Sequence, residues 1–446
     1  MNLLRQGTPR DATRSSSLEG TLLIVGVAAL GFNLRGAIAG LPPIFPELQA
    51  RLHLSSAEVS LLAATPVICF GVISGLAAPL GRRLGEERTL LVAIAALIGG
   101  LVLRAVAPGT LLFPGTILAC GGIAIMNVLL SSLIKRRWPE RAGFLIGVYI
   151  TALSVGAIIS SLVSVPLYDG TNGSLLVTLG WLVVPAIIGT FLWLPQLKAN
   201  GASTANKTSR ASAAGEAGAA DQASRTGAAG EASGSGAPHR PGATAARRRP
   251  AGGLWRQGLT WQVTLFMGTQ SLLYYATLSW LPTIFRDRGV SATGAGDLLG
   301  VLGIGNLALA LVAPMLAQRM RSQHALVIPI VIGIVVGTAG ALWAPVGSAV
   351  AWMLILGAAQ NAALGLAIYF TMARAPDPAT AASLSAMAQA VGYLFASTGP
   401  LEVGLLHSAT GSWNPPITVL LVLTVLLLVA GLLAARPVTL KLEGEQ

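Results

Sequence analysis

The sequence predicts an all-helical integral membrane protein made of two similar six-helix halves. Three observations carry that expectation. First, hydrophobic residues make up 53% of the 446 residues, charged residues only 10%, and mean hydropathy is +0.70; a soluble domain carries about 25% charged residues. Second, the apolar residues fall in blocks of about 20 or more, long enough to cross a hydrocarbon core of about 30 Å as helices. Lipid offers no other partner for backbone N–H and C=O groups, so each block should be a helix. Third, landmarks of the first half return in the second at a spacing of about 240 residues. Leu41-Pro42-Pro43-Ile44-Phe45 returns as Leu281-Pro282-Thr283-Ile284-Phe285, and Arg137-Trp138-Pro139-Glu140 as Arg374-Ala375-Pro376-Asp377. Ala78-Pro79 with Arg82 and Arg83 returns as Ala313-Pro314 with Arg319 and Arg321.

Twelve blocks are expected, near residues 20–46, 57–80, 88–106, 110–132, 142–166, 175–195, 259–284, 293–317, 324–343, 347–371, 382–406 and 415–435. The third and fourth meet at the tight-turn pair Pro108-Gly109, and the ninth and tenth meet near Pro345. The expected organisation is a cytoplasmic segment (1–19), an N-terminal bundle (20–198), a linker (199–253), a C-terminal bundle (254–436) and a cytoplasmic tail (437–446). The linker is mostly Ala, Gly, Ser and Thr, with Arg247-Arg248-Arg249 near its end. Such a stretch cannot bury enough apolar surface to offset its ordering entropy, so it is expected to be disordered.

The net charge of +12 is distributed as a topology signal rather than as a nucleic-acid surface. The termini and the even-numbered loops collect 24 of the 29 Lys and Arg. Arg51, Arg286 and Arg288 fall on the opposite side, and Arg35 and Arg104 lie within or at the edge of helices. This positive-inside pattern places both termini in the cytoplasm. Cys69 and Cys120 lie in separate apolar blocks and predict neither a disulfide framework nor a metal site. No cleavable signal peptide is expected, because residues 1–19 are polar and the first apolar block is too long for one.

Motifs of energy-driven or catalytic machines are missing from the sequence. There is no G-x-x-x-x-G-K-[ST] phosphate loop, no H-E-x-x-H zinc pattern and no G-x-S-x-G elbow. The four histidines, His53, His239, His324 and His407, do not pair at ligand spacing. Neither an enzyme nor a cofactor is expected. A duplicated membrane bundle points instead to a secondary transporter with its site between the halves.

Arg35 is the most informative single residue. It lies about 22 Å into the first helix at 1.5 Å per residue, near the bilayer midplane. A guanidinium there costs about 2.5–3.5 kcal/mol on insertion scales, so it should face a cavity or a partner. No Asp or Glu is expected at that depth; Glu58, Asp169, Asp297 and Glu402 fall toward helix ends. A bound anion could balance the charge, since the planar fork matches two oxygens. Bonds to helix carbonyls or to Glu402 are the structural alternative. Asn33 stands two residues earlier, while Gly36 and Gly40 allow close approach.

The other mid-helix polar groups are neutral: Asn127, Thr151, Ser154, Gln270, Tyr274, Tyr275, Asn306, Gln360, Asn361, Gln389 and Tyr393. Tyr275 is the counterpart of Arg35 at the repeat offset. The candidate substrate-binding set is Arg35, Asn33, Asn127, Tyr275, Asn361, Gln389 and Tyr393. Packing between helices is the competing role for each of the neutral ones. In the loops, Arg83, Glu86, Arg137, Glu140, Arg374 and Asp377 are candidate gating charges; solvated helix ends are the alternative. Arg104 is expected to snorkel toward headgroups.

Twelve helices as six plus six with a long central loop resemble the major facilitator superfamily. That family's G-x-x-x-D-R-x-G-R-[RK] motif is matched only at Arg83 and Gly85; Arg82 and Glu86 swap the charges. A narrower resemblance is to its cyanate porter branch. It is carried by Asn33-Leu34-Arg35, by Asn127-Val128-Leu129-Leu130 with Leu133-Ile134-Lys135-Arg136, and by the run from Leu384 to Tyr393. Gly399-Pro400 through His407, ending at Trp413, belongs to the same resemblance. It implies a fold of two pseudo-symmetric bundles and a substrate of the cyanate or nitroimidazole kind. The expectation is a monomeric transporter in a bacterial inner membrane, moving a small polar or anionic, cyanate-like solute by alternating access. Proton or counter-anion coupling is left open. Export of neutral aromatic compounds is the first alternative, and a scaffold or sensor without transport the second.

Overall fold

The computed structural model describes residues 9–137, 139–192, 251–309, 312–320 and 322–441. All regular structure among the described residues is helical. The first half comprises α1 (Pro9–Ala39), a 3-10 turn (Pro42–Ile44), α2 (Phe45–Leu52), α3 (Ser56–Leu84), α4 (Glu86–Val106), α5 (Pro108–Arg137), α6 (Ala142–Gly170), α7 (Leu175–Gly180) and α8 (183–192). The second comprises α9 (Gly258–Asp287), α10 (Ala292–Ala308), α11 (Val312–Arg319), α12 (His324–Trp343), α13 (Ala349–Ala373), α14 (Pro378–Ala396), α15 (Thr398–Thr410) and α16 (Asn414–Ala434). The pairs α1–α2, α7–α8, α10–α11 and α14–α15 each make one crossing, so the chain forms twelve membrane helices in two halves.

Nine helical stretches among the described residues are long and apolar enough to span a membrane. The α9, α10–α11 and α14–α15 crossings are not among them. For α9 the reason is position. It carries Thr264, Thr269, Gln270, Tyr274, Tyr275 and Thr277, and most residues between Thr260 and Phe285 are buried against protein. A helix wrapped by its neighbours has no need of lipid solubility, so its polarity is tolerated and usable.

The duplicated Leu-Pro-x-Ile-Phe landmark takes two conformations. In the second half Pro282 sits inside continuous α9. In the first half the chain leaves α1, tightens into the 3-10 turn Pro42–Ile44 and starts again as α2. Pro43 is the difference. It removes a second backbone N–H in succession, whereas Thr283 keeps its N–H and the helix continues.

The two ends of the bundle are distinct. On the terminal face Gln257 Nε2 donates to the Lys441 carbonyl at 2.9 Å, and Lys441 N donates back to Gln257 Oε1 at 3.0 Å. The expected linker lies outside the described residues up to residue 250; its last residues open the 3-10 turn Ala251–Arg256. The opposite, distal face carries the Pro42–Ile44 turn.

The halves close on each other at the distal face. Arg286 of α9 pairs with Glu47 of α2 at 2.7 Å and donates to the Pro43 carbonyl at 3.4 Å. Phe45 packs on Trp280 at 6.3 Å between centroids. Gly296 of α10 lies so near α6 that a Cβ there would meet the Ser161 carbonyl at 2.9 Å. Toward the terminal face α6 turns from contact to exposure: Phe144 is 61% exposed. A groove of about 900 Å³ opens there between α1, α6 and α8.

Candidate functional site

At mid-depth the helices enclose a small cavity of about 40 Å³. α1 contributes Arg35. α9 contributes Gln270, Ser271, Tyr274 and Tyr275, two pairs at i, i+4 that share one helical face. α13 contributes Gln360, Asn361 and Leu364, and α14 contributes Tyr393. The volume holds about three water-sized positions. A triatomic anion fits it; a substituted ring needs the walls to open.

Arg35 lies over the face of Tyr274, with Cζ 4.8 Å from the ring centroid. Tyr275 and Tyr393 are its other electrostatic neighbours, and no carboxylate among the described residues pairs with it. The ring face supplies partial compensation, worth about 2 kcal/mol when desolvated. A full counter-charge is missing among the described residues, and in a low-dielectric site its absence is strongly felt. Of the two structural alternatives, neither a Glu402 pairing nor a carbonyl bond for Arg35 is found among the described residues.

The aromatic walls are continuous. Tyr274 and Tyr275 are edge to face at 5.1 Å, and Tyr275 and Tyr393 stand 6.5 Å apart. Phe70 of α3 bridges the two halves, 6.3 Å from Tyr275 and 5.8 Å from Tyr393. The polar groups are held by neighbours. Gln360 Nε2 donates to Thr277 Oγ1 at 3.1 Å and to the Leu273 carbonyl at 3.5 Å. Asn361 Nδ2 donates to the Asn306 carbonyl, which ties α13 to α10. Gln270 Nε2 donates to Ser271 Oγ at 2.6 Å.

Of the candidate binding residues, Arg35, Tyr275, Asn361 and Tyr393 meet in this cavity. Asn33 does not line it. Asn33 is 1% exposed, donates to the Ala29 carbonyl at 2.8 Å and borders the large α1–α6–α8 groove. Asn127 accepts from Tyr149, and Gln389 donates to Ser385 Oγ at 2.9 Å. Gln270, Tyr274 and Gln360 are visible in the sequence as mid-helix polar groups; the i, i+4 spacing of Gln270 and Tyr274 is the signal that promotes those two, and Gln360 stands directly beside Asn361. Phe70, Ser271 and Leu364 carry no such signal.

The loop charges stand apart from the cavity. Arg374 is 5% exposed; Nε donates to the Ala434 carbonyl at 2.8 Å, and Nη2 to Gln323 Oε1 and, at 3.3 Å, to the Ala435 carbonyl. Asp377 caps α14, accepting from Thr380 N at 3.0 Å and Thr380 Oγ1 at 2.7 Å. Arg83 and Glu140 are exposed, and Glu86 is partly buried at the start of α4. Arg137 ends α5, while Trp138 and Arg321 lie outside the described residues. Gly85, at φ 85°, makes the turn from α3 to α4 that other residues adopt only with strain.

Arg104 corrects an expectation. It does not snorkel: it is 2% exposed, and Nη1 donates to the Ala37 carbonyl at 3.1 Å. α1 ends at Ala39, so carbonyls of its last turn lack helical partners, and Arg104 reaches inward to one of them. Among the described residues no His, Cys, Asp and Glu cluster could hold a metal ion.

Comparison with known proteins matches this geometry to a family. Residues 21–400 match the Major Facilitator Superfamily model. The chain is 33% identical over 430 residues to the 2-nitroimidazole transporter of Escherichia coli (strain K12), covering 95% of this chain and 98% of that one. It is 33% identical over 421 residues to the Uncharacterized transporter YycB of Bacillus subtilis (strain 168), covering 93% of each. It is 24% identical over 392 residues to the Cyanate transport protein CynX of Escherichia coli (strain K12), covering 88% and 91%. The crystal structure of a D-xylose-proton symporter superposes with a TM-score of 0.66 at 17% identity, covering 94% of this chain and 97% of that one, which shows the shared fold. Six-plus-six helices, a cavity between the halves and these full-length relatives give one conclusion: the chain belongs to the major facilitator superfamily, in the family of the cyanate and 2-nitroimidazole transporters, and is a multi-pass membrane protein for secondary transport of small solutes.

Proposed function

We propose that the transported solute is a small planar anion of the cyanate type, bound in the central cavity with Arg35 as its counter-charge. The observation that carries this reading is the lone guanidinium: a cation inside the bundle, stacked on Tyr274, with no carboxylate pairing it among the described residues. Tyr275, Asn361 and Tyr393 complete the pocket from the second half. Asn33, Asn127 and Gln389 act around it, through the packing of α1, α5 and α14. Alternating access follows from the seam. The distal face is closed by Arg286–Glu47, Phe45–Trp280 and the α6–α10 contact, and the terminal side of α6 is exposed. Rocking about the cavity would exchange these.

The charge asymmetry supports both termini, the linker and the terminal face on the cytoplasmic side of a bacterial inner membrane. Loop charges Arg83, Glu86, Arg137 and Glu140 would then act at the cytoplasmic closure. A monomer contains the whole cavity. Coupling to protons would run through the solute or a counter-anion, since the site offers no acidic relay.

Uptake of labelled cyanate into proteoliposomes, wild type beside Arg35→Gln, tests the reading. Uptake that disappears in a folded variant supports it; uptake unaffected by the substitution overturns it. The aromatic walls favour one second reading, export of neutral heterocycles. Efflux of 2-nitroimidazole that survives Arg35→Gln would select it.

A further inference from the structure

The cavity holds a second unmet group besides Arg35. Gln360 is 2% exposed and lines the cavity, and its Oε1 accepts no hydrogen bond. The orientation of its amide is fixed by a neighbour. Thr277 Oγ1 gives its own hydrogen to the Leu273 carbonyl at 2.6 Å, so toward Gln360 it can only accept. The group facing Thr277 at 3.1 Å is therefore the NH₂, and the carbonyl oxygen is the fork left over. A buried amide oxygen without a hydrogen-bond partner demands a donor from whatever occupies the cavity beside it.

Resting on the anion reading above, we propose that the preferred solute is a planar oxyanion with one protonated heteroatom, of the hydrogencarbonate or carbamate class. Arg35 takes its two unprotonated oxygens, and Gln360 Oε1 accepts from its O–H or N–H. Gln360 is thus the residue that sets specificity within the anion site. Cyanate, three atoms in line with no donor, satisfies Arg35 and leaves Gln360 unmet. A solute with both features satisfies the two groups at once, and binding sites discriminate strongly against analogues that strand a buried polar group.

Hydrogencarbonate and nitrate make the decisive pair. Both are planar three-oxygen monoanions, and they differ by one O–H. Dissociation constants follow from the rise in unfolding temperature of the detergent-purified full chain with each sodium salt, at constant ionic strength in mildly alkaline buffer. The wild type is expected to bind hydrogencarbonate about tenfold tighter than nitrate. In Gln360→Met, which keeps the length and removes the acceptor, that ratio should fall to about one. Equal binding of the two anions by the wild type overturns the proposal and needs no variant, so a poorly folding Gln360→Met cannot shield it. A ratio unchanged in a folded Gln360→Met also overturns it. Arg35→Gln keeps the two readings apart. Loss of both anions there upholds the anion site, and the wild-type ratio then judges Gln360 alone. Failure of the wild type to bind either anion removes the anion site itself, and this inference with it.

Discussion

Arg35 and Tyr275 occupy equivalent positions of the two halves, one repeat apart, and both line the same cavity. The duplicated scaffold thus places a cation at one pseudo-symmetric position and a neutral phenol at the other. Asymmetry at the centre of a symmetric bundle would give the proposed site its chemistry. Arg35→Lys tests how much of that chemistry is shape. A lysine keeps the charge but loses the planar two-donor fork. Concentration dependence of cyanate uptake should show at least a tenfold weaker apparent affinity for this variant.

Tyr274 holds the Arg35 guanidinium by its face, at 4.8 Å. Tyr274→Phe keeps that face and loses only the hydroxyl that also hydrogen-bonds Arg35, so it should weaken apparent affinity by about threefold. Tyr274→Leu removes a desolvated cation–π contact of about 1–2 kcal/mol and should weaken apparent affinity about tenfold. Equal behaviour of the two variants in the uptake assay would count against the stack as a positioning device.

The Arg286–Glu47 pair is a contact between the halves at the distal face, with both side chains largely covered. Glu47→Gln should shift the population toward an open distal face by about 1 kcal/mol, roughly fivefold. Ser60 is fully buried there against Gly404. With Cys69 and Cys120 replaced by Ser, a Ser60→Cys reporter should react several times faster with an impermeant maleimide in the Glu47→Gln background. An unchanged labelling rate would show that the pair does not hold the face shut.

Gly115 lets α5 lie directly on α4; a Cβ there would meet Arg104 N and the Gly100 carbonyl at 2.7 Å. Both are backbone atoms of a packed helix and cannot step aside. Gly115→Val should destabilise the first half by about 2–3 kcal/mol, read as a lower unfolding temperature in detergent. A variant as stable as the wild type would mean that the helices separate more freely than this packing implies.

Arg374 belongs to the stability of the second half. It meets the Ala434 and Ala435 carbonyls at the end of α16, and its own carbonyl accepts from Leu440 N at 2.8 Å. Arg374→Met leaves those carbonyls and Gln323 without a donor, at a cost of about 1–3 kcal/mol. Hydrogen exchange in residues 435–441 should speed up about tenfold or more, and the apparent affinity for cyanate should change little.

Much of this was legible in the sequence for a physical reason. Lipid imposes length and hydropathy on every exposed crossing, and duplication left its landmarks in order, so the helices, the halves and the midplane position of Arg35 could be read directly. Charge in the loops gave the expected orientation. Side-chain partners were a different matter. Arg104 looked like a headgroup contact because it ends an apolar helix, yet packing turns it inward to the Ala37 carbonyl. Asn33, two residues from Arg35, sits about 200° around the helix by its 3.6-residue period and borders another groove.

The sequence by itself determined the class, the topology and the lone central cation, because these follow from composition and period along one chain. Only the tertiary structure decided which polar groups share the cavity, that Thr277 orients the Gln360 amide, and that the halves meet at the distal face. Those facts depend on how helices far apart in sequence are rotated and packed against each other. Small residues such as Gly115 and Gly296 set that packing through distances that no periodicity encodes.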